Sequence, residues 1–130
     1  MTTNDPLAAT LSKIDNATKV SKQSITVFGT SKLIKSILKI LQANEYILDV
    51  MYEENVRGGK AVIALSSIIN HCGSIKPRFK VKKTELEKFE QRYLPAKGFG
   101  ILIISTSKGL MTNVEAKEQN IGGRLIAYCY

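Results

Sequence analysis

Two stretches of this chain carry residue types that can contact a ligand at regular spacing. In the first, "KPRFKVKK", Lys76, Arg78, Lys80 and Lys82 hold alternate positions, with Lys83 alongside and no acid among the eight residues. An extended chain sends alternate side chains to one face. Four cations therefore line one side, and Pro77, Phe79 and Val81 the other. Like charges so placed are tolerable in high-dielectric solvent or opposite a polyanion, and the stretch alone leaves both readings open.

In the second stretch the apolar run Ile101 to Ile104 breaks into Ser105-Thr106-Ser107-Lys108-Gly109. Continued as a strand, it puts Ser105 and Ser107 on one face, roughly 6–7 Å apart, and Thr106 on the other. A serine hydroxyl both donates and accepts with little bulk. It can meet a base edge, a 2′-hydroxyl or a phosphate without holding a nucleic acid away from the backbone. Lys108 adds charge, and Gly109 admits a turn closed to other residues. Thr112 and Glu115 form a capping box that opens a helix, whose N–H groups can face an anion. On the residues alone, hydroxyls that merely form a turn at a strand end are the simpler account.

Catalytic and metal chemistry finds little support. A serine nucleophile needs a base, and the single histidine, His71, stands beside Cys72 with no spacing signature. "RGGK" lacks the spacing and the following hydroxyl of a phosphate loop and reads as a turn. His71, Cys72 and Cys129 are too few and too scattered for a zinc site, and are expected to be packing residues. No cofactor and no small-molecule substrate are expected.

The elements that must position these groups form two small lobes of an α+β fold. Asp5-Pro6 caps a first helix with Leu7, Leu11 and Ile14 on one face, fading near Asn16-Ala17. A short strand from Ser24 to Phe28 follows, then a second helix from Ser31 to about Asn44. Its apolar face is Leu33, Ile34, Ile37, Leu38, Ile40 and Leu41, and Lys32, Lys35, Lys39 and Gln42 make a separate stripe. "YILDVMY" and "KAVIALS" form a hairpin turned at Gly58-Gly59. This N-terminal helix-strand-helix-hairpin lobe spans 1–66. The C-terminal lobe, 67–130, is mostly β with short helices. Thr84 and Glu87 cap a helix with Leu86, Phe89 and Tyr93 on one face, ended by Leu94-Pro95. The strand at Ile101, the helix from Thr112, a Gly122-Gly123 turn and a last strand "RLIAYCY" complete it.

The totals agree with this picture. The chain has 130 residues, 44% hydrophobic and 23% charged, as expected of a globular protein. Its net charge of +8 favours a polyanionic partner. No apolar run approaches the ~20 residues of a membrane-spanning helix, so no membrane partner is expected. Two cysteines in a chain of this length indicate a reduced, cytosolic setting.

Several longer segments resemble the universal small-ribosomal-subunit protein eight family in its archaeal and eukaryotic form, whose eukaryotic member is called fifteen-a. They are "DPLAATLSKIDNA", "TSKLIKSIL", "INHCGSIKPRFKV", "FEQRYLPAKGFGILIISTSKGLMT" and "EAKEQNIGGRLIAYCY". The resemblance covers essentially the whole chain. It implies a structural, non-enzymatic protein of the cytoplasmic ribosome that binds the central domain of small-subunit rRNA early in assembly, beside neighbouring small-subunit proteins. It also implies that Ser105, Thr106, Ser107 and Lys108 make the main RNA contact, with Gly109, Gly122 and Gly123 shaping the backbone. Lys13, Asn16, Ser31 and Lys32 would add phosphate contacts, and Lys76, Arg78, Lys80 and Lys82 would face phosphate. Arg124 departs from bacterial relatives, which carry an acid after the double glycine; an arginine there suits phosphate. Asp15 departs as well, where many relatives are basic or neutral. A rival reading is a regulatory module that binds mRNA or a protein partner outside the ribosome.

Overall fold

A computed structural model describes residues 6–29, 31–53, 59–66, 68–75, 78–96 and 99–130. The chain is mixed α+β and divides into two compact units, Met1–Cys72 and Gly73–Tyr130. The division falls after Cys72, whereas the sequence reading set it after Ser66.

The first unit runs α1 (Pro6–Lys19), β1 (Ser24–Phe28), α2 (Lys32–Ala43), β2 (Ile47–Glu53) and β3 (Lys60–Leu65). The strands form an antiparallel sheet in the order β1-β3-β2. Alternate residues Ile25, Val27, Ala61, Ile63 and Leu65 are buried, together with Leu7, Leu11 and Ile14 of α1 and Ile34, Ile37, Leu38 and Leu41 of α2. Each valine, leucine or isoleucine among them contributes about 1.5–3 kcal/mol when fully buried. On α2 the buried set keeps the i, i+3, i+4, i+7 spacing, which leaves Leu33 and Ile40 half-buried. Ser31 caps α2 by accepting the Ile34 N–H at 3.3 Å. Helix α1 continues past its expected end to Lys19. Ala17 is buried, and Lys19 reaches Asp15 one turn back at 3.4 Å. Asp5 and Gly58, expected as a cap and a turn residue, lie outside the described residues.

The second sheet starts with β4 (Cys72–Ser74) and β5 (Lys80–Val81). A 3₁₀ turn (Lys83–Glu85) leads into α3 (Leu86–Tyr93); then come β6 (Ile101–Thr106), β7 (Gly109–Thr112), α4 (Asn113–Gln119) and β8 (Gly123–Cys129). Strand order is β4-β8-β6-β7, with β5 also pairing β8. Ile101 to Ile104 are all buried, as a strand covered on both faces requires. Leu102 and Ile104 pack with Val81, Leu86, Phe89, Met111, Ala116 and Leu125.

Four local expectations for this unit are revised. The strand does not continue through Ser107: after Thr106 the chain turns over Ser107-Lys108 and returns as β7, with Thr106 opposite Gly109 and Ile104 opposite Met111. Among its described residues, the basic stretch is paired as a strand at Lys80–Val81, and the Phe79 carbonyl also accepts the Leu125 N–H at 2.9 Å. Its alternation persists all the same, with Arg78, Lys80 and Lys82 exposed, Phe79 half-buried and Val81 buried. The helical segment starts before the Thr84–Glu87 box. The Glu85 carboxylate accepts the Lys82 N–H at 3.3 Å, so the cap is made two residues earlier. Finally, the left-handed turn before β8 is made by Asn120 at φ 55°, not by the two glycines. The Thr112–Glu115 cap forms as expected, the Glu115 N–H meeting the Thr112 hydroxyl at 3.3 Å.

Candidate nucleic-acid interface

Strand register brings the two chemically distinctive stretches together. Lys80 of β5 is directly opposite Arg124 of β8, and Arg124 is directly opposite Ser105 of β6. Directly paired residues project from the same face of a sheet, and neighbouring strands lie about 4.8 Å apart. Lys80, Arg124 and Ser105 thus form one exposed row of cation, cation and hydroxyl. On the opposite face Val81, Leu125 and Ile104 are buried in the core.

Before Arg124 come Gly123, the first residue of β8, and Gly122, and here the backbone is crowded. A β-carbon at Gly123 would stand 2.1 Å from the Ser105 carbonyl oxygen, and one at Gly122 2.2 Å from that of Val81. The pair is required by close approach of three chain segments, and its backbone helps to line a groove. That groove has a volume of about 950 Å³ and is lined by Lys80, Lys82, Lys83 and Arg124 beside Ser105, Thr106 and Ser107. Among the described residues Glu85 is the one carboxylate lining it, and that group is turned to the Lys82 N–H. Among the described residues, none of the four cations is in an ion pair with a carboxylate.

The hydroxyls differ in role. Ser105 and Ser107 are exposed. The Thr106 hydroxyl is committed to the hairpin: it donates to the Gly109 carbonyl at 2.7 Å and accepts the Lys108 N–H at 3.1 Å. The turn-forming reading therefore describes Thr106, whose hydroxyl fixes the loop that carries Ser107 and Lys108. Gly109 closes the loop at φ 110°. Lys108 and Arg78 are exposed but do not line the groove, and Lys76 lies outside the described residues. The start of α4 does not offer a free anion site, because Thr112 and Asn113 are buried.

Four further candidates belong to the first unit. Lys13, Asn16, Ser31 and Lys32 are exposed; the Lys13 ammonium donates to the Thr26 carbonyl, and the Ser31 hydroxyl is used as a cap. On the α2 stripe, Lys35 lies over the Tyr52 ring at 5.4 Å, while Lys32, Lys39 and Gln42 are exposed.

Cys72 and Cys129 are buried, as packing residues should be, but His71 is exposed and its ring nitrogen sits 3.2 Å from the Asp15 carboxylate. Asp15 also accepts the Cys72 N–H at 3.4 Å, so its presence at this position has a structural use. Burial, with the Asp15 charge adding to it, pushes the Cys72 thiol up to about 12. Such a thiol stays protonated and is neither a nucleophile nor a ready metal ligand at neutral pH. Among the described residues no group of three or more histidine, cysteine or acidic side chains could hold a metal ion. No described helix is long and apolar enough to cross a membrane.

Sequence reasoning missed β7, and with it the hairpin. It also missed Lys83, Thr84 and Glu85 as groove residues. The step from Ser107-Lys108 into Gly109 and the apolar Leu110-Met111 was the available signal for a tight hairpin. Nothing in the sequence announced that the 3₁₀ turn would swing Thr84 and Glu85 to the groove.

Residues 5–130 match the sequence model of the family described as ribosomal protein S8. The chain belongs to the ribosomal protein S8 family. Members of this family are structural ribosomal proteins, not enzymes, and serve translation in the cytoplasmic ribosome. Among similar proteins, the small ribosomal subunit protein uS8 of Thermoplasma acidophilum is 48% identical over 127 residues, 98% of each chain. The protein of the same name from Thermoplasma volcanium is 47% identical over the same span and share. Both fit the archaeal and eukaryotic branch of the family.

Proposed function

We propose that this chain is a structural component of the small ribosomal subunit, that it binds the central domain of the small-subunit rRNA through the groove of its second unit, and that it supports assembly of that domain. The supporting observation is the row Lys80–Arg124–Ser105. Like charges directly opposite each other across a ladder destabilise a sheet, and no carboxylate among the described residues relieves this pair. Phosphate oxygens would supply the missing counter-charge.

Beside the cations, Ser105 and Ser107 can reach 2′-hydroxyls and base edges in the wide minor groove of an RNA helix, where recognition rests on shape and sugar contacts. The Thr106 clamp holds the loop in place before binding, which lowers the ordering cost of association. The choice of the central domain, and the neighbouring small-subunit proteins as further partners, rest on the family resemblance.

The test is binding of the purified chain to a central-domain rRNA fragment across a salt titration. If Lys80, Lys82, Lys83 and Arg124 each meet a phosphate, log affinity falls against log salt with a slope of roughly −3 to −4. An affinity indifferent to salt, or equal for an unrelated duplex, would refute the proposal.

A further inference from the structure

The three-stranded sheet of the first unit has two edges, β1 and β2. On β1 the Lys13 ammonium occupies the Thr26 carbonyl, a lysine placed where it obstructs an incoming strand. The β2 edge has a different character. Asp49, Met51 and Glu53 alternate along it and so share a face; all three are exposed, Met51 by 66%. Leu48, at a break in the register beside them, is 64% exposed. In a chain of net charge +8, residues 40–56 contain Glu45, Asp49, Glu53 and Glu54 and no lysine or arginine. Within the sheet, Glu53 meets Lys60 at 3.5 Å, while the Asp49 carboxylate takes the Val50 N–H at 2.9 Å.

An edge that reads acid, apolar, acid repels a nucleic acid. It also repels a second copy of itself, since antiparallel pairing would set Asp49 against Glu53. It fits an extended segment with two cations flanking an apolar side chain, because opposite charges directly across a ladder attract. We propose that the open edge of β2 takes up a basic, extended segment of another protein as an added strand, with Asp49 and Glu53 pairing its cations and Met51 covering its apolar residue. In that state a carbonyl of the incoming strand accepts the Val50 N–H and releases the Asp49 carboxylate to a cation. The alternation of an antiparallel ladder turns the Tyr52 N–H to the same open side, and main-chain bonds give such strand addition its affinity. The inference makes no use of the RNA groove, so failure of RNA binding would leave it standing, and the reverse.

The probe is a short synthetic peptide with Lys-Thr-Val-Thr-Lys at its centre, which sets lysine, valine and lysine on one face of an extended chain, added to the full-length chain while amide hydrogen exchange is followed by NMR. Val50 and Tyr52 are expected to slow by about tenfold or more at saturation. The double change Asp49→Lys with Glu53→Lys, at exposed positions that leave the core intact, is expected to weaken peptide binding roughly tenfold. A peptide of the same charge with a central proline should give no protection. The proposal is overturned if the two amides are unchanged at saturation. Equal binding of the proline peptide, or of the same peptide with glutamate in place of each lysine, overturns it too. So does protection of these amides by self-association without peptide, or crosslinking of a photoreactive side chain at position 51 to RNA in assembled subunits.

Discussion

Placing a methyl group on Gly122 or Gly123 is a direct test of the crowding at the head of β8. Gly123→Ala sets a carbon 2.1 Å from the Ser105 carbonyl oxygen and 2.9 Å from Ile104 Cγ2; Gly122→Ala sets one 2.2 Å from the Val81 oxygen and 3.0 Å from Lys82 Cα. The nearest atoms are backbone, so relief requires the strands to part by about an ångström rather than a side chain to swing away. Overpacking of this kind costs about 1–3 kcal/mol, and each ladder hydrogen bond lengthened or lost adds about 1 kcal/mol. For either variant a loss of roughly 2–4 kcal/mol follows, a sizeable part of the ~5–15 kcal/mol of an ordinary domain. Gly29→Ala is the internal control: its φ is +74° and nothing lies within 4 Å of the added carbon, so only the left-handed backbone is penalised, at about 1–2 kcal/mol. Urea unfolding measures all three, as a shift of midpoint at constant slope. If both groove variants stay within about 0.5 kcal/mol of wild type, or cost less than Gly29→Ala, the close approach of β5, β6 and β8 is not a real constraint.

Other outcomes separate the roles within the site. Ser107→Ala should leave stability unchanged and weaken rRNA binding by about 1–2 kcal/mol in a filter or calorimetric assay. Thr106→Val should instead lower the melting temperature, by the loss of about 1 kcal/mol in hairpin bonds; equal effects of the two changes on stability would contradict the clamp. Arg124→Ala and Lys82→Ala should each flatten the salt dependence of RNA binding by about one unit of slope, checked by titration at several salt concentrations. Because burial lifts the Cys72 thiol from 9.0 to about 12, the unfolded chain releases this proton at lower pH than the folded one. This thiol's contribution to stability is therefore complete below pH 9.0 and falls as pH rises toward about 12. Denaturation at stepped pH should show a shallower alkaline decline in Cys72→Ala than in wild type.

Much of the fold could be read from periodicity because burial follows it. The Ile34, Ile37, Leu38 and Leu41 stripe and the four-residue run at Ile101 are local patterns with one reading each. What stayed hidden depends on contacts distant in sequence. The two glycines read as a turn because glycine usually signals backbone freedom, whereas their role is set by carbonyl groups of Val81 and Ser105, some 18 to 41 residues upstream. Ser105-Thr106-Ser107 could not be resolved into two exposed hydroxyls and a structural one until Gly109 was seen opposite Thr106. Lys80 and Arg124, 44 residues apart, acquire meaning only as a like-charge pair through register. Likewise the polar character of Glu90 gave no sign of its burial, where it accepts from the Asn113 amide at 2.8 Å and faces the Lys117 ammonium at 2.6 Å.

That buried amide has a further consequence. Its oxygen accepts the Leu102 N–H at 3.1 Å while its nitrogen donates to Glu90, so a single side chain fastens the beginning of β6 to α3 and α4. A run of four interchangeable aliphatic residues could slide by two positions and still bury as much oil. The amide admits one alignment, because any other strands a polar group in the interior. The hydrophobic strand thereby acquires a fixed starting mark, and the serines at its far end are delivered at a defined distance from it.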